Sequence, residues 1–140
     1  MSKLNTKEAI VEFLKQEGFE VSEKEDDNVL VISDEDDFTI FSVINDLQIE
    51  LMVDICGKND LVVDKLLEAY SMLLDMNTEI QPTCYGIDST EKEDPRIVLV
   101  DSLLLENLDV NELQLSLSSI ARNTVSAVEI LTPYLKAKNT

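Results

Sequence analysis

The chain contains no histidine. That absence removes Ser-His and Cys-His nucleophile pairs, histidine general bases and histidine metal ligands. Cysteine is nearly absent too. Cys56 and Cys84 are the only two, and a distant pair does not build a structural zinc site. Each ends an apolar run, so both are expected to be reduced, largely buried thiols. The three glycines do not cluster, which excludes a Walker loop and a GxGxxG turn. No apolar run is long enough to span a bilayer. Basic residues are scarce: 11 Lys and Arg stand against 29 Asp and Glu, for a formal charge of −18. DNA, RNA and anionic lipid surfaces each need a basic face, so none of them is the expected partner.

What remains is ample material for a core. The chain has 140 residues, of which 44% are hydrophobic. That length suits a single domain, residues 1–140, able to bury about two thirds of its unfolded surface. A helix signal starts at Asn5 with no leader before it, so the expected location is cytoplasmic.

The most informative stretch is Phe38 to Ile55, FTIFSVINDLQIELMVDI. Leu47, Ile49, Leu51, Val53 and Ile55 alternate with Gln48, Glu50 and Asp54, the pattern of a half-buried strand. Asn45-Asp46 reads as a two-residue turn. It would set Ile44 opposite Leu47, Ile40 opposite Leu51 and Phe38 opposite Val53. One face of this hairpin is then a core face of Phe38, Ile40, Ile44, Leu47, Ile49, Leu51, Val53 and Ile55. The other carries Phe41, Val43 and Met52 beside Gln48 and Glu50. Either a helix covers these three apolar residues, or they form a patch for a partner chain.

Around the hairpin, Asn5 and Glu8 have capping-box spacing, and Gly18 stands at the expected end of a helix over 6–17. Phe19 and Val21 can begin a short strand. Val29-Leu30-Val31-Ile32 reads as a strand buried on nearly both faces. Val62, Val63, Leu66, Leu67, Tyr70, Leu73 and Leu74 predict a well-buried helix over about 61–76, capped by Asn59 or Asp60. Thr83–Asp88 predicts a strand with Gly86 at a bulge. Arg96–Leu105 is strongly apolar and predicts another strand. Asp109 and Glu112 cap a final helix running toward Lys136, which Pro133 should kink or end. The order is helix, three strands, helix, two strands, helix, which predicts an α+β fold with an antiparallel sheet. The apolar stripe of the last helix is wider than one contact needs. That helix, or the late strand Ile97 to Leu103, is therefore the expected self-association surface.

The acidic cluster Asp34-Glu35-Asp36-Asp37 invites a cation-binding reading. An EF-hand needs glycine at its sixth position, where this chain has Thr39, and the twelfth holds no glutamate. Solvated turn acids that discourage edge aggregation are the simpler account. An acidic regulatory module binding divalent cations through its turns is kept as the alternative function. Nothing in the sequence marks a catalytic residue, a cofactor or a resident metal, and the chain is not expected to be an enzyme.

An acidic chain of this size with this element order, from Asn5 to Leu135, resembles the class I type III secretion chaperones and the YbjN-like domains. More narrowly, LLEAYSMLLDMN and LSLSSIARNTVSAVEILTPYL resemble the YjfI-like family of bacterial proteins. The chaperone resemblance implies a homodimer that holds a partner polypeptide along apolar patches without nucleotide. The YjfI-like resemblance implies an association with bacterial membrane-stress systems. Neither brings catalytic residues.

Overall fold

The central hairpin forms where the alternation places it, with its turn moved on by one residue. The protein is described here by a computed structural model covering residues 4–24, 29–34 and 38–137. Strands β3 (Thr39–Ile44) and β4 (Gln48–Gly57) pair with Ile44 opposite Ile49, Ser42 opposite Leu51 and Phe41 opposite Met52. The turn therefore centres on Asp46-Leu47, closed by the Asn45 N–H donating to the Gln48 carbonyl at 3.1 Å. The expected opposites of Ile44, Ile40 and Phe38 are corrected accordingly.

The cause is the Asn45 side chain. Its Oδ1 accepts from the Leu47 and Gln48 N–H groups, both at 2.8 Å, which fixes Asn45 at the base of the turn. Leu47, expected in the core, lies at the tip and is 65% exposed. The two faces survive because the pairing moves by two residues, a whole period of a strand. Ile40, Ile44, Ile49, Leu51 and Val53 are buried as expected, while Phe38 and Ile55 pack half-buried at the margin.

Strands β1 (Glu20–Lys24), β2 (Val29–Ser33), β5 (Cys84–Asp88) and β6 (Arg96–Leu104) complete the sheet. It has six antiparallel strands in the order β1-β2-β3-β4-β6-β5. The fold is the expected α+β class. One strand is added to the expected order, because the segment opened by Phe19 and Val21 pairs along the whole of β2. Gly86 stays in unbroken register opposite Val98. The irregularity expected there lies instead in β4, between Asp54 and Cys56.

Helix α1 (Lys7–Gln16) is capped by Thr6, whose Oγ1 accepts from the Ala9 N–H at 3.1 Å, so the box expected at Asn5 is corrected by one residue. Gly18 ends it as expected, at φ 93°, a conformation that suits glycine. Helix α3 (Val110–Leu131) starts at Asp109, which accepts from the Glu112 N–H at 2.8 Å. Pro133 sits in a 3-10 turn, Thr132–Tyr134, and stops the helix short of Lys136.

Helix α2 (Leu66–Met76) departs most from expectation. It starts late because Asp60 turns back to accept from the Gly57 N–H at 2.8 Å, and Leu61 forms a bridge with Leu135. Within it only Ala69 and Leu73 are buried. Val63, Leu67 and Leu74 are 70%, 81% and 70% exposed, so this helix is not the well-buried one its stripe predicts. A wide apolar stripe states how much could be covered; the core takes one side of it, with Leu66, Tyr70, Met72 and Met76 half-buried beside Ala69 and Leu73.

One core holds these elements together. Ile10, Phe13 and Leu14 of α1, Ala69 and Leu73 of α2, and Leu113, Leu117, Ile120 and Ala127 of α3 join a single cluster with Leu30, Ile32, Ile40, Leu51, Tyr85, Ile97 and Leu99. The sheet members of that cluster all project from the same side. A polar seam ties the α2–β5 connection to α3. Asn123 Nδ2 donates to Thr83 Oγ1 at 2.8 Å, Ser119 Oγ at 3.2 Å and the Ile80 carbonyl at 3.3 Å.

Candidate functional site

With the three helices on one side, the other side of the sheet is bare of helix among the described residues. The register shows what it carries. Ser22, Val31, Phe41, Met52, Val100 and Cys84 stand directly opposite one another in succession, one from each strand. Five of these six form a continuous line, Val31–Phe41–Met52–Val100–Cys84. At a strand spacing of about 4.8 Å this line is roughly 19 Å long. The next row sets Val29, Val43, Glu50 and Ser102 opposite one another.

Phe41, Val43 and Met52 are thus brought together, Phe41 and Met52 as direct cross-strand partners. Phe41 and Met52 are half-buried by their neighbours in the sheet, and Val43 is exposed. None of the three belongs to the cluster that the helices cover. With Glu50, Pro82, Cys84, Val100, Asp101 and Ser102 they line a shallow groove of about 460 Å³.

Val31, Val100, Pro82 and Cys84 belong to this surface and were not singled out from the sequence. A signal for two of them exists. VLVI and RIVLV are continuous apolar runs, which place apolar side chains on both faces of their strands. Helices cover only one of those faces. Cys84 also corrects the expectation of two buried thiols, since it is exposed while Cys56 is half-buried, and both are free.

Expected self-association surfaces also divide. Ile97, Val98 and Leu99 are buried between β4 and β5, so the first part of the late strand offers no surface, while Val100 to Leu103 stay partly open. On the last helix, Leu115, Val125 and Val128 are exposed.

The electrostatics are those of a structural margin. Arg96 Nε donates to both Asp54 oxygens at 3.1 Å, and its NH1 group donates to Asp94 at 2.9 Å. These bonds tie β4, β6 and the 89–95 connection together. Gly57 lies under them, where an added Cβ would come within 2.6 Å of the Asp94 carboxylate and the Arg96 guanidinium. Burial first, and then the nearby Asp60 carboxylate, push the Cys56 thiol up to about 11. That leaves about 100-fold less thiolate than at a group titrating near 9. At pH 8 an aromatic disulfide reagent is therefore expected to label the exposed Cys84 much faster than the half-buried Cys56. Mass spectrometry of the Cys56→Ser and Cys84→Ser variants checks this, and comparable rates would contradict the burial of Cys56.

Among the described residues no group of three or more His, Cys, Asp or Glu is placed to hold a metal ion. Residues 25–28 and 35–37, which include most of the acidic turns, lie outside the described residues. No helix among the described residues is long and apolar enough to cross a membrane.

This arrangement, a twisted antiparallel sheet with helices on one face and no constellation for chemistry, is the architecture of a chaperone-like α+β domain. The chain matches the CesT_Tir_1 family over residues 3–136 and belongs to that family, which is type III secretion chaperone-like. Its fold is that of YbjN from E. coli, proposed as a transcription regulator. The two share 12% identity at a TM-score of 0.73, with 98% of this chain and 100% of that one covered. An uncharacterized protein from Methanothermobacter thermautotrophicus is similar at 16% identity and a TM-score of 0.68, covering 90% of this chain and 96% of the other. No curated protein matches the sequence.

Proposed function

We propose that the protein is a non-catalytic, cytoplasmic adaptor or chaperone, homodimeric, that holds a partner polypeptide against the bare face of its sheet. Phe41, Val43 and Met52 are the contact residues. The observation that carries this reading is the apolar line crossing five strands with no helix over it among the described residues. An exposed apolar patch of this extent is the feature of an interaction surface. A charge of −18 keeps a chain with such a surface in solution. Membership of a chaperone-like family agrees with it. The exposed apolar residues Leu67 and Leu74 of α2, Val63 in the turn before it, and Val125 and Val128 of α3 supply surface for a second copy. The YjfI-like resemblance directs the search for the partner to membrane-stress systems.

The test is comparative capture. The wild-type chain and the Phe41→Ser, Met52→Ser double variant are immobilised, crosslinked in native cytosol and analysed by mass spectrometry. One dominant, saturable partner is expected on the wild type, with at least tenfold less on the variant. The variant is expected to stay folded at a cost of about 1–2 kcal/mol, because both side chains are only half-buried. Sedimentation is expected to give about twice the chain mass of 15.8 kDa. A monomer that captures nothing would overturn the reading.

A further inference from the structure

The sheet has two edges, and they are defended differently. At one, β1 is short and mostly polar, with Glu20, Glu23 and Lys24 along it, a composition that discourages pairing. At the other, β5 is covered by a side chain. Asn77 at the end of α2 accepts from the Tyr85 N–H at 2.6 Å and donates to the Tyr85 carbonyl at 3.2 Å. Its amide thus occupies both main-chain groups that Tyr85 would offer a neighbouring strand.

β5 is also shorter than β6. It ends at Cys84, opposite Val100. Thr83 then turns into the core, where its hydroxyl donates to the Ile80 carbonyl at 2.6 Å. The end of β6, Asp101–Leu104, continues with β4 on one side and no strand on the other among the described residues. The Leu105 N–H donates to the Leu47 carbonyl on the β4 side at 2.9 Å. By the alternation of an antiparallel ladder, the main-chain groups of Ser102 and Leu104 point away from β4, to the open side. The Ser102 N–H is held by Asp101 Oδ1 at 2.8 Å. Leu104 lies beyond that bond, and its side chain is 60% exposed.

We infer that Asp101–Leu104 is a strand-addition site for an extended polypeptide segment that alternates apolar with basic residues. This rests on the protein-binding reading above and names the edge and the chemistry of the partner. The Ser102 carbonyl and the Leu104 N–H and carbonyl supply the main-chain bonds. Alternate apolar side chains of the added strand lie toward Val100, Met52 and Phe41 in the groove. Charge selects the occupant. Glu50 stands on the groove wall opposite Ser102. From the added strand it is two strand spacings away, about 10 Å, within reach of a lysine side chain. Asp101 turns its carboxylate to the helix side of the sheet, where it accepts from Ser116 Oγ and the Ser102 N–H, so Glu50 is the charged side chain that faces the groove. A second copy of a chain at −18 is the wrong charge for this edge.

The probe is a displayed library of random 12-residue peptides selected on the intact chain. Enriched peptides are expected to alternate Val, Ile or Phe with Lys or Arg, and to weaken as salt is raised. The strongest of them, added as a synthetic peptide, is expected to slow amide exchange at Leu104 at least tenfold. Backbone N-methylation of alternate peptide residues should abolish binding. So should Leu104→Pro, which removes an edge N–H with little effect on melting. Acidic or neutral binders, or none, would overturn the inference, as would protection of Leu104 by self-association at high concentration. Basic binders that survive N-methylation and Leu104→Pro yet are lost on Phe41→Ser would overturn strand addition while leaving the sheet face as the binding surface.

Discussion

Leu99→Ala is expected to lower the unfolding free energy by about 3 kcal/mol, whereas Val100→Ala, one residue along the same strand, costs about 1 kcal/mol or less. Leu99 is wholly buried in the cluster beneath the helices, with Val53 and Tyr85 as its strand neighbours. Removing three heavy atoms there leaves a cavity that packed neighbours on every side cannot close. Val100 points to the opposite face, is half-exposed, and has Met52 and Cys84 beside it. For a chain of 140 residues the first substitution lowers the melting temperature by about 10 °C and the second by a few degrees. Urea and thermal unfolding of the two variants measure the difference. Equal losses would mean that something covers the second face, and the proposed binding surface would be lost with that result.

The second large effect is expected at Asn123. Asn123→Leu keeps the approximate size of the side chain and removes its donors, and should cost about 2–3 kcal/mol. Asn123 is buried, and its amide supplies Thr83 Oγ1, Ser119 Oγ and the Ile80 carbonyl from one position on α3. Leucine leaves those acceptors buried with fewer donors. The Ile80–Thr83 connection then loses its tie to the helix, and β5 loses the support that ends it at Cys84. Hydrogen exchange over 77–88 is expected to rise with the loss of stability, while exchange in β2 and β3 follows only global unfolding. A uniform rise across the sheet would show instead that the seam belongs to the global core.

The local signals that survive in the structure are those set by neighbouring residues. Asp109 and Glu112 start α3 as their spacing implies, because a cap is satisfied within one turn. Gly18 ends α1 for a similarly local reason. The alternation from Gln48 to Val53 marked a core face correctly, since period two survives the shift of the turn. Where two local options competed, the sequence was ambiguous. Asn5 and Thr6 are both good caps, and Thr6 takes the Ala9 N–H. Asn45 suits the turn itself as well as its base, and its side chain holds it at the base. Asp60 was available as a helix cap, and it turns back to Gly57 instead.

Composition and spacing by themselves determined the α+β class, the antiparallel sheet, the lack of histidine chemistry and the presence of Phe41, Val43 and Met52 on one face of one hairpin. Those properties depend on residues near in the chain or on residue types that are absent altogether. Only the tertiary structure decided which sheet face the helices take, that α2 and the turn before it leave Leu67, Leu74 and Val63 outside, and that Val31, Val100 and Cys84 extend the line begun by Phe41 and Met52. An apolar side chain states its preference for burial but not its partner. The partner is set by competition among three helices for one sheet, and by cross-strand registers that join residues as distant as Val31 and Val100.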